Sequence, residues 1–110
     1  MEWIHLTDEA QLNDIISRSQ TQPQVIFKHS TRCSISAVAL KRFERSPQPP
    51  GVDFYYLDLL AHRPLSNFVA QKFEVHHESP QVLLIRDGHC VFTESHLGIS
   101  MEDISEHAAA

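Results

Sequence analysis

One of the chain's two cysteines stands where a thiol could do chemistry. Cys33 lies between a short apolar run, Val25-Ile26-Phe27, and a stretch of helical periodicity that begins at Ile35. This spacing predicts a thiol at or beside a helix N-terminus. Unpaired backbone N–H groups and the positive end of the helix dipole favour thiolate over thiol there, and thiolate is the nucleophile. Arg32 and Lys28 add positive charge nearby. Three residues on, where a second thiol would close an internal disulfide, stands Ser36. The motif Cys33-Ser34-Ile35-Ser36 therefore offers one nucleophile and no resolving cysteine. A lone cysteine is more often a small buried hydrophobe, and that is the reading for Cys90, which falls within a strand pattern.

The elements around these residues follow from periodicity and breakers. Leu6-Thr7-Asp8-Glu9 opens a helix with Thr7 as its expected N-cap, and Leu12, Ile15 and Ile16 share one face. Pro23 precedes the Val25–Phe27 strand. The helix after Cys33 is predicted to turn Ile35, Val38, Ala39 and Phe43 inward, and it ends before Pro47, Pro49, Pro50 and Gly51. Residues 52–59, VDFYYLDL, form the strongest strand, apolar on both faces as an inner strand would be. Pro64 opens a third helix with Leu65, Phe68, Val69 and Phe73 on one side. Asp87-Gly88 then joins Val82–Ile85 to His89–Thr93 as a hairpin. Ser100 caps a last helix, with Asp103 as its capping-box acid, and the tail from His107 is expected to fray. Trp3-Ile4 adds a short edge strand. Strands separated by helices run parallel and a hairpin pair antiparallel, so the expectation is one α/β domain over residues 1–110. It has a mixed sheet of four or five strands with helices on both faces.

Composition sets the bounds. A chain of 110 residues can bury one core without staples. Its net charge of -5 argues against a nucleic-acid footprint, and no apolar run approaches membrane-spanning length. With no basic segment followed by an apolar stretch at the N-terminus, the expected location is the cytoplasm, where Cys33 and Cys90 would not form a structural disulfide. Two separated cysteines make no zinc site. His76-His77 point in different directions and lack a third ligand, so no metal is expected.

The layout resembles thioredoxins and glutaredoxins over nearly the whole chain. The resemblance rests on the Val25–Phe27 strand, Cys33 heading the next helix, Ser79-Pro80 before Val82–Ile85, and the Asp87-Gly88 hairpin. The stretch from Phe27 to Ser36, FKHSTRCSIS, is similar to that of the YtxJ family, the monothiol bacilliredoxins of the bacillithiol system. The resemblance implies a thioredoxin-like fold and a monothiol thiol-disulfide oxidoreductase with no bound cofactor. Its co-substrate would be a low-molecular-weight thiol, bacillithiol in this family, and its partners client proteins carrying mixed disulfides. Cys33 would be catalytic, with Lys28, Thr31, Arg32, Ser34, Ile35, Ser36, Ser79 and Pro80 contacting substrate. Lys28 would hold a carboxylate of the small thiol; a solvated strand end is the alternative. The Ser79-Pro80 bond is expected to be cis, its loop beside Cys33 and open to an extended client peptide. The chain departs from the pattern at Ser34, where many family members have proline, and at Phe27, where thioredoxins have a buried acid. The competing functions are a non-enzymatic binding module and an iron–sulfur carrier. The carrier would need a Cys-Gly-Phe-Ser type of motif, and the glycine is missing.

Overall fold

A computed structural model describes residues 1–109. The elements are β1 (Ile4–His5), α1 (Ala10–Arg18), β2 (Gln24–His29), α2 (Ser34–Arg45) and β3 (Asp53–Asp58), followed by α3 (Arg63–Lys72), β4 (Gln81–Arg86), β5 (His89–Ser95), a 3-10 turn (His96–Gly98) and α4 (Met101–Ala109). The strands form one sheet in the order β1-β3-β2-β4-β5. The pairs β1–β3 and β2–β3 are parallel, whereas β2–β4 and β4–β5 are antiparallel. The predicted mixed α/β sheet with helices on both faces is what the chain adopts. The hairpin turns through Asp87 and Gly88, both at positive φ (53° and 78°), as a tight turn matching strand twist requires.

The twofold alternation of β2 divides the core. Val25 and Phe27 point toward α2 and α4, where Ala39, Phe43, Met101 and Ile104 bury against them. Ile26 points to the opposite face and packs with Leu12, Ile15, Leu65 and Val69 of α1 and α3. Phe43 anchors α2 on the sheet, its ring centroid 5.3 Å from that of Phe27. Burying such a side chain contributes about 1.5–3 kcal/mol.

Three local expectations are corrected. The α1 cap is Asp8, not Thr7: Asp8 Oδ1 accepts the Gln11 N–H (3.1 Å) and Gln11 Oε1 accepts the Asp8 N–H (3.2 Å), a reciprocal box one residue later. On α2 the buried face is Ser36, Ala39 and Phe43, while Ile35 and Val38 are 46% and 55% exposed. A polar residue holds an inward position there, and two aliphatic ones face solvent. The chain past His107 does not fray within the described residues. His107 stacks on Phe92 with ring centroids 4.0 Å apart, and Arg86 Nη2 donates to the Ala108 carbonyl. Ser100 caps α4 as expected, its Oγ accepting the Asp103 N–H at 3.1 Å.

Candidate active site

Cys33 is the N-cap residue of α2, with extended backbone (φ -102°, ψ 120°) and a half-buried side chain. Its carbonyl opens the helix by accepting the Ala37 N–H at 3.1 Å. No side chain caps α2, and Cys33 stands at the N-cap position, ahead of the unpaired first-turn amides. A tight turn delivers it there: the Cys33 N–H donates to the Ser30 carbonyl at 3.2 Å. Thr31, Arg32, Ser34 and Ile35 around the thiol are exposed.

Ser36, one turn into α2, is fully buried. Its Oγ accepts the Ser30 N–H at 3.0 Å and lies 2.7 Å from His29 Nδ1. The residue in the place of a resolving thiol thus ties the helix to the turn before Cys33. His29 is a site residue that the sequence reading did not single out. The available signal was the period of two along β2, which puts His29 on the same face as Phe27, toward α2. Burial lowers the His29 pKa, opposed by the nearby Asp58 and Glu44 carboxylates and by the Ser36 backbone.

The segment before β4 arrives at the same end of the sheet. Lys28 pairs with Gln81 across the antiparallel β2–β4 ladder, so Pro80, just before β4, lies beside the end of β2 that leads into the Cys33 turn. The Ser79-Pro80 peptide is cis and Pro80 is buried. The Pro80 carbonyl is not open to a client strand, since it accepts the His96 N–H at 2.9 Å. The 3-10 turn also joins α2: Arg42 donates to the carbonyls of Leu97 and Ile99. Three segments therefore meet at the thiol-bearing end of the sheet. Exposed Leu97 on the 3-10 turn joins Ile35 and Val38 of α2 as apolar surface on two of these linked elements.

Comparison with known proteins agrees with this arrangement. The family model described as monothiol bacilliredoxin BrxC matches residues 4–104. The chain belongs to this bacilliredoxin family. A solved structure described as having a thioredoxin fold is 31% identical, covers 94% of this chain and 90% of its own, and superposes with a TM-score of 0.77. Two more distant likenesses show the fold alone. One is the thioredoxin of Malassezia sympodialis, 14% identical, covering 98% of this chain and 89% of its own, with TM-score 0.74. The other is that of Fasciola hepatica, 20% identical, covering 96% and 95%, with TM-score 0.70. The protein is a thiol oxidoreductase of thioredoxin fold.

In this bacilliredoxin-family chain one expected site residue, Lys28, lies elsewhere, and Cys90 packs as the sequence reading expects. Lys28 is neither a solvated strand end nor a reachable cation. It alternates onto the α1/α3 face of β2, away from α2, and is fully buried. Its Nζ lies 3.3 Å from the Ser66 carbonyl and 3.2 Å from His77 Nδ1, and burial lowers its pKa to about 8. Cys90 pairs with Ile85, near the opposite end of the sheet. It packs against the α1/α3 core, and burial raises its pKa. Among the described residues no group of three histidine, cysteine or acidic side chains could hold a metal ion, and no helix is long and apolar enough to cross a membrane.

Proposed function

We propose that the protein removes a low-molecular-weight thiol of bacillithiol type from mixed disulfides on client proteins, with Cys33 as nucleophile. The Cys33 thiolate attacks the small thiol's sulfur in the mixed disulfide. A Cys33–small-thiol disulfide forms, and the client leaves as thiolate to be protonated by solvent. A second small thiol, as thiolate, then attacks that disulfide. It departs as the oxidised dimer and returns Cys33 as thiolate. Atoms and electrons balance, and the only reductant is the small thiol.

The observation that carries this reading is the pairing of a half-buried Cys33 at the head of α2 with Ser36 fully buried behind it. Ser36 leaves the mixed disulfide on Cys33 with no internal thiol to resolve it, so an external thiol must do so. Exposed Arg32, Thr31 and Ser34 frame Cys33 with polar groups suited to an anionic small thiol. Ser79 Oγ, buried and without a hydrogen-bond partner, is a further polar group on the Pro80 segment. Exposed Ile35, Val38 and Leu97 offer apolar surface suited to a protein client.

The test is mass spectrometry of the native protein after exposure to oxidised bacillithiol, glutathione or coenzyme A, with peptide mapping. The expected product is one adduct on Cys33, formed fastest with bacillithiol. A faster adduct with glutathione or coenzyme A would overturn the choice of thiol, and an adduct on Cys90 alone would overturn the choice of nucleophile.

A further inference from the structure

Ser36 Oγ has one proton to give and two lone pairs to receive with. One lone pair takes the Ser30 N–H, and His29 Nδ1 stands 2.7 Å away as the acceptor for the proton. Ser36 is fully buried and His29 only 6% exposed, so water does not stand in for either partner. The linkage continues through Ser30, whose carbonyl accepts the N–H of Cys33 itself. An unbroken run of hydrogen bonds thus joins the His29 imidazole to the backbone of Cys33.

From this run we propose that His29 is a positioning residue for the exchange reaction, holding through Ser36 the turn that presents Cys33. The inference rests on the reading of Cys33 as nucleophile and deepens it. The bond requires a neutral imidazole with its proton on Nε2, leaving Nδ1 free to accept. Protonation reverses the bond: Nδ1–H then donates to Ser36 Oγ, and the buried Ser36 O–H loses its acceptor. The turn loosens and Cys33 is presented less well. The groups facing His29 are the Asp58 carboxylate and the Tyr56 ring of β3 and the Glu44 carboxylate of α2, while β4 begins at that end with uncharged Gln81, preceded by Pro80. His5 of β1 lies against the Tyr56 ring. The two carboxylates favour imidazolium and burial disfavours it. Burial prevails, which keeps His29 neutral at physiological pH.

Alkylation of the native full-length protein by iodoacetamide, followed across the pH range of histidine and thiol titration, reads this arrangement at Cys33. The wild-type plot of log rate against pH should rise with unit slope from the thiol and steepen below the His29 titration. In His29→Asn the amide still offers an acceptor to Ser36 but does not titrate. Its rate should match wild type at alkaline pH, and its slope should stay at one through the acidic range in which the wild type steepens. Ser36→Ala should label Cys33 roughly three- to tenfold more slowly at every pH, as expected for loss of a buried hydrogen-bonded anchor. A second measurement needs no variant: the imidazole nitrogen spectrum of the wild type should show His29 as the Nε2–H tautomer at neutral pH. An Nδ1–H tautomer would overturn the proposal. So would superimposable profiles for wild type and His29→Asn, a rate change by one constant factor at every pH in that variant, or unaltered labelling of Ser36→Ala. Labelling of Cys90 ahead of Cys33 in the wild type would instead overturn the underlying choice of nucleophile.

Discussion

Lys28 holds a charge-bearing amine in a fully buried place, hydrogen-bonded to Ser66 and His77. Its pKa falls from 10.5 in model compounds to about 8. Below pH 8 both folded and unfolded chains carry the proton, so the group's destabilising contribution there does not vary with pH. Between pH 8 and 10.5 the unfolded chain binds more protons, so the group makes stability rise with pH across that window. The full rise is about 3 kcal/mol at most. Denaturant unfolding at a series of pH values should show this rise in wild type and not in Lys28→Met. Equal pH dependence in the two proteins would contradict the burial of the amine. The family resemblance offered Lys28 as a residue that touches substrate, with a solvated strand end as the alternative, and neither placed it in the core. Its face depends on the strand period relative to α2, and the fold sets that. Ser36 shows the same limit. The absence of a second thiol was legible, whereas the bonds that hold Ser36 in place were not.

Helix α2 places the thiol, and its two faces separate stability from surface. Phe43 is fully buried against Phe27 and Phe54, whereas Val38 stands 55% exposed. Phe43→Ala should cost about 3–5 kcal/mol in denaturant unfolding. Val38→Ala should change stability by no more than about 0.5 kcal/mol. Comparable losses in both would show that Val38 is buried as Phe43 is and contradict the assigned faces. Periodicity located this helix and its end, but Ile35 and Val38 read as core because apolar type was taken for burial. That inference fails beside Cys33, where apolar Ile35 and Val38 face outward. At the other end of the chain, Ser100 and Asp103 marked the start of α4 directly, since a cap is a local interaction. Ser100→Ala should lower stability by about 1 kcal/mol, and no loss would show that the cap bond contributes nothing.

At the scale of the molecule, the order of strand and helix signals was sufficient to predict the mixed sheet. Parallel pairing follows from helical crossovers and antiparallel pairing from the Asp87-Gly88 turn. That order also fixes where the site lies. Antiparallel β4 must begin where β2 ends, so Pro80 arrives at the end of the sheet that leads to Cys33, and Cys90 on β5 is carried to the other end. The two thiols are therefore separated in place by topology, one heading α2 and one packed against the α1/α3 core. The most direct test uses a client protein carrying a bacillithiol mixed disulfide, with free bacillithiol as reductant. Release of the small thiol would be followed for wild type, Cys33→Ser and Cys90→Ser, with folding of each variant checked by circular dichroism. The account predicts that Cys90→Ser works at the wild-type rate and that Cys33→Ser falls to the uncatalysed rate. Retained turnover in a folded Cys33→Ser variant, or its loss in Cys90→Ser, would contradict it.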